Sequence, residues 1–178
     1  MTHSPTNLRP RGSRRLLGPI ALATVLLGAA CGGPPARGPN PTKPLDERRA
    51  QQIIADVFRS ERTPAVAGRK LQVAEGKLLE VDIGASANKY GVAYVTGSER
   101  ADLGNALPQP APGQEESLQL VRGAGADADA RVLVLYDTAY KYDDQVGTEH
   151  EETVLTAERK LARDVRDFLV QARAQRWP

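Results

Sequence analysis

Residues 131–137 have the sequence Arg-Val-Leu-Val-Leu-Tyr-Asp, in which four consecutive side chains, Val132 to Leu135, are apolar. Because successive side chains of a strand point to opposite faces, a strand formed here is apolar on both faces. Strands of this kind are typical of the middle of a sheet that is covered on each side. The sequence therefore predicts a packed sheet with this strand at its centre.

Alternation of apolar and polar side chains predicts four more strands. Residues 71–83 alternate with period two on either side of Glu75-Gly76, a dipeptide typical of a hairpin turn. Residues 90–96 follow after a short loop and continue the meander as a third strand. Residues 117–122 form the fourth of these strands, and a turn rich in glycine and aspartate joins it to the central strand over residues 131–137. We therefore expect about five strands, mainly antiparallel.

An amphipathic helix is predicted before the strands, over residues 47–60, because its apolar side chains recur at steps of three and four. Asp46 stands where the helix needs an N-terminal cap. A short helix over residues 99–103 is expected later in the chain, capped by Ser98 and stopped by Gly104.

The longest predicted helix closes the chain. Thr148 and Glu151 have the spacing of a capping box, and the apolar stripe that follows continues to about Arg173. Together these elements predict an α+β fold, in which an N-terminal and a long C-terminal helix pack against the sheet. We assign residues 46–178 to this single domain.

Composition and charge narrow the classes of partner. The chain has 178 residues, of which 40% are hydrophobic and 26% charged, as in a soluble globular protein. The net charge is +2, but four arginines lie within the first fifteen residues; without them 20 basic and 22 acidic residues remain, a net charge of −2. A slightly acidic domain has no long-range attraction to phosphate backbones, so we expect no nucleic-acid partner.

The first thirty residues have the order of a secretory signal peptide. Arginines are concentrated in residues 8–16, an apolar run follows over residues 16–30, and Cys31 comes directly after it. The apolar run has about fifteen residues, fewer than the ~20 that a membrane-spanning helix needs. We therefore interpret residues 1–30 as a processed leader.

Residues 26–33, Leu-Leu-Gly-Ala-Ala-Cys-Gly-Gly, resemble the lipobox of bacterial lipoproteins, although glycine rather than leucine stands at Gly28. The resemblance implies that Cys31 carries lipid, including palmitate or a similar fatty acid, and becomes the mature N-terminus. It implies a domain in the cell envelope, anchored to a membrane and facing the periplasm. In such proteins the residue after the cysteine helps to select the membrane, and Gly32 favours the outer one.

Plain signal-peptidase cleavage after Ala30 is the alternative, because Gly28-Ala29-Ala30 is also a small-residue cut site. Cys31 is the only cysteine, so the exported protein cannot form an internal disulfide. Without lipid, Cys31 would remain a free thiol. Residues 31–45 are rich in proline and glycine and predict an extended tether between the lipid and the domain.

Four polar residues near the start of the last helix offer candidate metal ligands: Asp137, Asp143, Asp144 and His150. A histidine among carboxylates suits a divalent ion or general-base chemistry, which gives the alternative of a metal-assisted hydrolase. The spacing, however, matches no known zinc or calcium loop. We therefore expect no metal, no cofactor and no catalytic residue, and the enzyme question stays open.

The same segment is the predicted binding surface. Tyr140 and Tyr142 are expected to be exposed, next to Asp143, Asp144 and His150. Tyrosines combine an apolar ring with a hydrogen-bonding hydroxyl, which suits binding to peptides or sugars. The sequence thus favours a non-catalytic binding or accessory module of the envelope, with an envelope protein or a glycan as its partner.

Two acidic residues of the predicted hairpin form a further candidate for an acid pair at a metal site. Glu80 and Asp82 lie two residues apart in a strand, so their side chains are predicted to share one face. Because Leu79, Val81 and Ile83 are expected to face the core, both acids are predicted to lie on the solvent side.

Overall fold

The computed structural model describes residues 41–85, 89–110, 117–143 and 153–177. The helices are α1 (Glu47–Ser60), α2 (Gly97–Leu103) and α3 (Val154–Ala174). The strands are β1 (Lys43–Pro44), β2 (Ala65–Ala74), β3 (Lys77–Ala85), β4 (Tyr90–Val95), β5 (Gln119–Arg122), β6 (Arg131–Tyr136) and β7 (Lys141–Tyr142). Single turns of 3-10 helix are formed by Gly104–Ala106, Gly125–Asp127 and Asp137–Ala139.

The main sheet has five strands in the order β2-β3-β4-β6-β5. The neighbours β4 and β6 are parallel, and the other three pairs are antiparallel. The expectation of an α+β fold with about five mainly antiparallel strands and two flanking helices is therefore confirmed. The parallel pair arises because the chain leaves β4 through α2 to form the outer strand β5, then returns as β6 between β4 and β5.

The apolar strand β6 is covered on both faces, as its sequence predicts. Leu133 and Leu135 pack on the side of the two long helices, whereas Val132 and Val134 belong to a second apolar cluster on the opposite face. All four side chains are at most 3% exposed. Each face thus has its own core, and β6 joins the two.

The long helices α1 and α3 lie side by side and run in the same direction. Near their starts the Arg49 guanidinium contacts the Glu158 carboxylate at 2.7 Å, and near their ends Arg173 contacts Glu61 at 2.5 Å. Helix α1 begins as predicted, because the Asp46 carboxylate accepts a hydrogen bond from the Arg49 N–H at 3.2 Å. No helix among the described residues is both long and apolar enough to cross a membrane.

The sheet curls because the hairpin of β2 and β3 turns away from β4. The register between β3 and β4 contains only two pairs, Ile83 with Val92 and Gly84 with Gly91. Just beyond these pairs, Gly68 in β2 has a φ of 59°, a left-handed conformation that suits glycine. The rest of the hairpin packs over the second face and reaches the β5–β6 connection.

A backbone hydrogen bond and an ion pair between side chains join the hairpin to the β5–β6 connection. The Ala124 N–H donates to the Gln72 carbonyl at 2.6 Å, and the Arg69 guanidinium lies 3.4 Å from the Asp127 carboxylate. The second core therefore lies inside a curled sheet, with Leu71, Leu79 and Val81 of the hairpin among its members.

Two helix starts differ from the sequence prediction. Helix α2 begins at Gly97 and is capped by Thr96 rather than Ser98, because Thr96 and Glu99 form a reciprocal capping box. Helix α3 begins at Val154, where the Thr153 hydroxyl accepts from the Thr156 N–H at 3.2 Å. The predicted cap at Thr148 lies outside the described residues. Residue 153 was predicted to be helical, and this prediction is wrong because Thr153 is the N-terminal cap of α3.

Candidate functional site

The described residues of the predicted binding surface, Tyr140, Tyr142 and Asp143, lie next to the first strand of the described chain. Strand β7 pairs antiparallel with β1, placing Lys43 opposite Tyr142 and Pro44 opposite Lys141. One residue further on, the Leu45 N–H donates to the Tyr140 carbonyl at 3.0 Å. We call this region, residues 43–47 and 137–143, the entry corner.

Tyr140 is buried in this corner, with 4% of its surface exposed. Its hydroxyl donates to the Asp164 carboxylate of α3 at 2.9 Å, and its ring lies 6.2 Å from that of Tyr94. Burial raises the pKa of the Tyr140 hydroxyl, and the nearby Asp164 carboxylate raises this pKa further. The prediction of an exposed Tyr140 is therefore wrong, because α3 covers the turn that carries it.

The neighbouring residues divide into covered and partly accessible ones. Tyr142 is half-buried, and the Lys43 ammonium lies 5.3 Å from the centre of its ring. Asp143 is 7% exposed, so its predicted exposure is also wrong. Asp144 and His150 lie outside the described residues, and the predictions about them stay open.

Asp137 follows β6 at the carboxyl end of the parallel pair, a common position for functional groups in a sheet. Its carboxylate accepts a hydrogen bond from the Gly97 N–H at 3.1 Å and so joins the end of β6 to the start of α2. Among residues 41–85, 89–110, 117–143 and 153–177 no three acidic, histidine or cysteine side chains are grouped closely enough to hold a metal ion. The metal-assisted alternative depends on His150 and is not tested by these residues.

Asp82 is a partly buried acid that the sequence analysis placed on the solvent face, and that prediction is wrong. Its carboxylate accepts from the Tyr94 N–H at 2.6 Å and from the Gln51 amide of α1 at 2.7 Å. Here the carboxylate takes the place that a backbone carbonyl of β3 would have in a regular ladder. The bend at Gly68 is the reason, because it moves β3 away from β4 at this point.

The electrostatics of Asp82 follow from this position. Burial raises the pKa of its carboxyl, while the hydrogen bonds from Tyr94 and Gln51 lower this pKa in part. The carboxylates of Glu47 and Glu99 raise the pKa further by repulsion. Gly68 lies just before the strands predicted over residues 71–83, and a glycine next to a strand pattern is the sequence signal that could have indicated the irregularity.

Comparisons with models of protein families, with curated proteins and with solved structures give no match for this chain. The fold and the site define it as an α+β domain whose entry corner is formed by strands β1 and β7. In this corner Asp46 and Asp137 accept hydrogen bonds from backbone N–H groups, and Asp164 of the neighbouring helix α3 accepts one from the Tyr140 hydroxyl.

Replacing Tyr140 by phenylalanine is expected to lower the free energy of unfolding by about 1 kcal/mol, because the hydrogen bond to Asp164 is lost while the ring is kept. Tyr142→Phe is the matched control. Because Tyr142 is only half-buried, this substitution is expected to change the free energy of unfolding by less than about 0.5 kcal/mol. Urea titration of both variants measures the difference. Equal losses for the two would show that the Tyr140 hydroxyl has no special role.

Proposed function

We propose that this chain is a lipoprotein of the bacterial cell envelope, anchored through lipid on Cys31, whose domain is a non-catalytic binding or accessory module. One observation carries the proposal: an arginine-rich segment, a short apolar run and a small-residue stretch precede Cys31 in that order. The proposal places the domain in the periplasm, with the outer membrane favoured by Gly32. An envelope protein or a glycan is its partner.

The position of β1 supports a tethered domain. Lys43 and Pro44 pair with β7, and eleven residues, 32–42, lie between Cys31 and this strand. These eleven residues are rich in proline and glycine, which favours an extended chain with a length of about 3 Å per residue. A tether of this kind leaves the domain within roughly 3 nm of the bilayer surface.

The contacts of the acidic side chains support a module without catalytic chemistry. Asp82 accepts from the Tyr94 N–H, Asp137 accepts from the Gly97 N–H, and Asp164 accepts from the Tyr140 hydroxyl. Each of these carboxylates thereby joins two elements of the fold. Side chains that are used in this way stabilise the domain and are poorly placed to exchange protons with a substrate.

The energetics of acylation support a permanent anchor. Each methylene that an acyl chain buries in the bilayer contributes about 0.8 kcal/mol to membrane binding. One acyl chain therefore gives reversible binding, and two or more give stable attachment. A lipoprotein cysteine that carries several chains would therefore keep the domain on the membrane.

Growth of bacteria that express the full chain with radiolabelled palmitate tests this proposal. We expect label on the parent protein and complete loss of label in Cys31→Ser, because that substitution removes the thiol that forms the thioether. Gly33→Ala is the control and should retain the label, since it lies beyond the modified residue. An unlabelled parent protein would overturn the proposal in favour of plain cleavage after Ala30.

A further inference from the structure

Both long helices end in the same hydrogen-bonding pattern, the Schellman motif, with an arginine at the position after the helix end. This arginine is Arg62 for α1, with a φ of 54°, and Arg176 for α3, with a φ of 50°. The bonds are Arg62 N–H to Arg59 O at 3.1 Å, Thr63 N–H to Phe58 O at 2.9 Å, Arg176 N–H to Arg173 O at 3.1 Å and Trp177 N–H to Ala172 O at 3.1 Å.

The arginines occupy a conformation that favours glycine. A left-handed φ brings the Cβ of an L-residue close to the backbone, so glycine, and to a lesser extent asparagine, is preferred at this place. Among the described residues other than glycine, only Arg62 and Arg176 have a positive φ. Backbone strain of this kind is often retained where the side chain has a function.

The two helix ends are joined through Glu61. Its carboxylate lies 2.5 Å from the Arg173 guanidinium and 3.3 Å from that of Arg166, and its carbonyl accepts a further bond from Arg173 at 3.1 Å. The contact with Arg173, and to a smaller extent that with Arg166, lowers the pKa of the Glu61 carboxyl. One carboxylate is thus already held here by two guanidinium groups.

Positive charge is concentrated at this end of the domain, which we call the basic end. Its arginines are Arg59, Arg62, Arg166, Arg173 and Arg176, all exposed. The acids of the same helix turns are Asp56, Glu61 and Asp167. Arg62 and Arg176 are without an ion pair within the part of the chain that the structure describes, so their guanidinium groups are available to a partner.

Apolar surface accompanies the charge. Val170 is 50% exposed, and the half-buried Trp177 lies with its ring 5.8 Å from that of Phe168. On α3 the helical spacing places Val170 between Arg166 and Arg173 on one face. Arginine and tryptophan are among the residues most enriched at the energetic centres of protein interfaces.

We propose that the basic end binds an acidic, partly apolar segment of another protein. Arg62 and Arg176 hold carboxylates of this segment in the way that Arg166 and Arg173 hold Glu61, while Val170 and Trp177 contact its apolar side chains. Because residues 46–178 carry 18 basic and 22 acidic side chains, a net charge of −4, long-range attraction does not favour a uniform polyanion, which is why a short acidic segment fits better than a nucleic acid or an anionic lipid. The proposal rests on the domain being a binding module but not on the lipid at Cys31.

A fluorescence titration of the full chain in non-ionic detergent micelles tests it. The probe is a synthetic peptide of repeating Glu-Glu-Leu triplets, and the signal is the emission of Trp177, the only tryptophan of the chain. We expect a saturable change for the parent protein, and an affinity about tenfold lower for the double variant Arg62→Gly/Arg176→Gly. The melting temperature of this variant should not fall, because glycine suits the left-handed φ at both positions.

The matched control is the double variant Arg48→Gln/Arg159→Gln. It removes two exposed arginines from the first two turns of the same helices, far from their C-terminal ends, and should change the affinity less than about twofold. Absence of saturable binding by the parent, or equal weakening by both double variants, would overturn the proposal. Tighter binding of polyphosphate or of anionic vesicles than of the peptide would also overturn it. The lipid on Cys31 is tested separately by the palmitate label, so the two proposals fail independently.

Discussion

Phe168→Ala is expected to lower the free energy of unfolding by about 3–5 kcal/mol, a large part of the total stability of a domain of this size. The Phe168 side chain is 0% exposed and lies between Tyr90 and Trp177, with ring centroids 6.0 Å and 5.8 Å away. Its removal loses the transfer free energy of the ring and leaves a cavity under α3 that the surrounding side chains fill only in part.

Denaturant titration followed by far-ultraviolet circular dichroism measures this loss. Val170→Ala is the control on the same helix, because Val170 is 50% exposed and its truncation should cost less than about 0.5 kcal/mol. The emission of Trp177 should shift to longer wavelength in the Phe168 variant, since the indole loses its ring contact. A loss below about 1 kcal/mol would contradict the packing of α3 on the sheet.

Asp82→Ala is expected to lower the free energy of unfolding by about 1–3 kcal/mol. The substitution leaves the Tyr94 N–H and the Gln51 amide without their acceptor in a partly buried place. Asp82→Asn keeps one acceptor oxygen, which can still accept from the Tyr94 N–H, while its NH2 group cannot accept from the Gln51 amide, so it should recover part of the loss at neutral pH. Chemical denaturation of the two variants separates the role of the hydrogen bonds from that of the charge. Equal loss in both variants would exclude the acceptor role of Asp82.

The charge of Asp82 also predicts a pH dependence. The pKa of its carboxyl is higher in the folded state than its usual value of 3.8, because the charged form is partly desolvated. The folded state therefore binds the proton more tightly, and this contribution to stability is present below the usual pKa and is lost as the pH rises through the raised value. The parent protein should accordingly lose stability relative to Asp82→Asn as the pH rises from about 3.5 to 7.

Comparison of the two proteins over this range isolates the effect of Asp82. Glu61 and Glu158 have pKa values below the usual range, so their contribution runs in the opposite direction and is lost as the pH falls. Both glutamates are present in the parent and in the Asp82 variant, and their effect cancels in the difference. A constant difference between parent and variant would show that Asp82 is not desolvated in the folded state.

Elements with local signals could be predicted from the sequence. Helix α1 was bounded correctly at Asp46 and Ser60, because the periodicity of its apolar side chains and its cap lie within one segment. The same holds for the hairpin turn at Gly76 and for the strand β6, whose two apolar faces predicted a core on each side. In these elements the pattern of neighbouring residues and the tertiary structure agree.

The parts that sequence could not predict depend on contacts between distant segments. Asp82 changes its environment because β3 separates from β4, and its partners Gln51 and Tyr94 belong to other elements. Tyr140 is buried by α3, whose Asp164 lies well beyond the turn in sequence. The parallel pairing of β4 with β6 likewise requires the whole crossover and has no signal in either strand alone.

The proposed lipid on Cys31 is most directly tested by mass spectrometry of the N-terminal peptide from the mature protein, purified from bacterial envelopes in detergent. We expect a peptide that begins at Cys31 and has the added mass of a diacylglycerol thioether, with or without a further acyl chain. A peptide that begins at Cys31 with an unmodified thiol, or one that retains Met1, would contradict the proposed anchor.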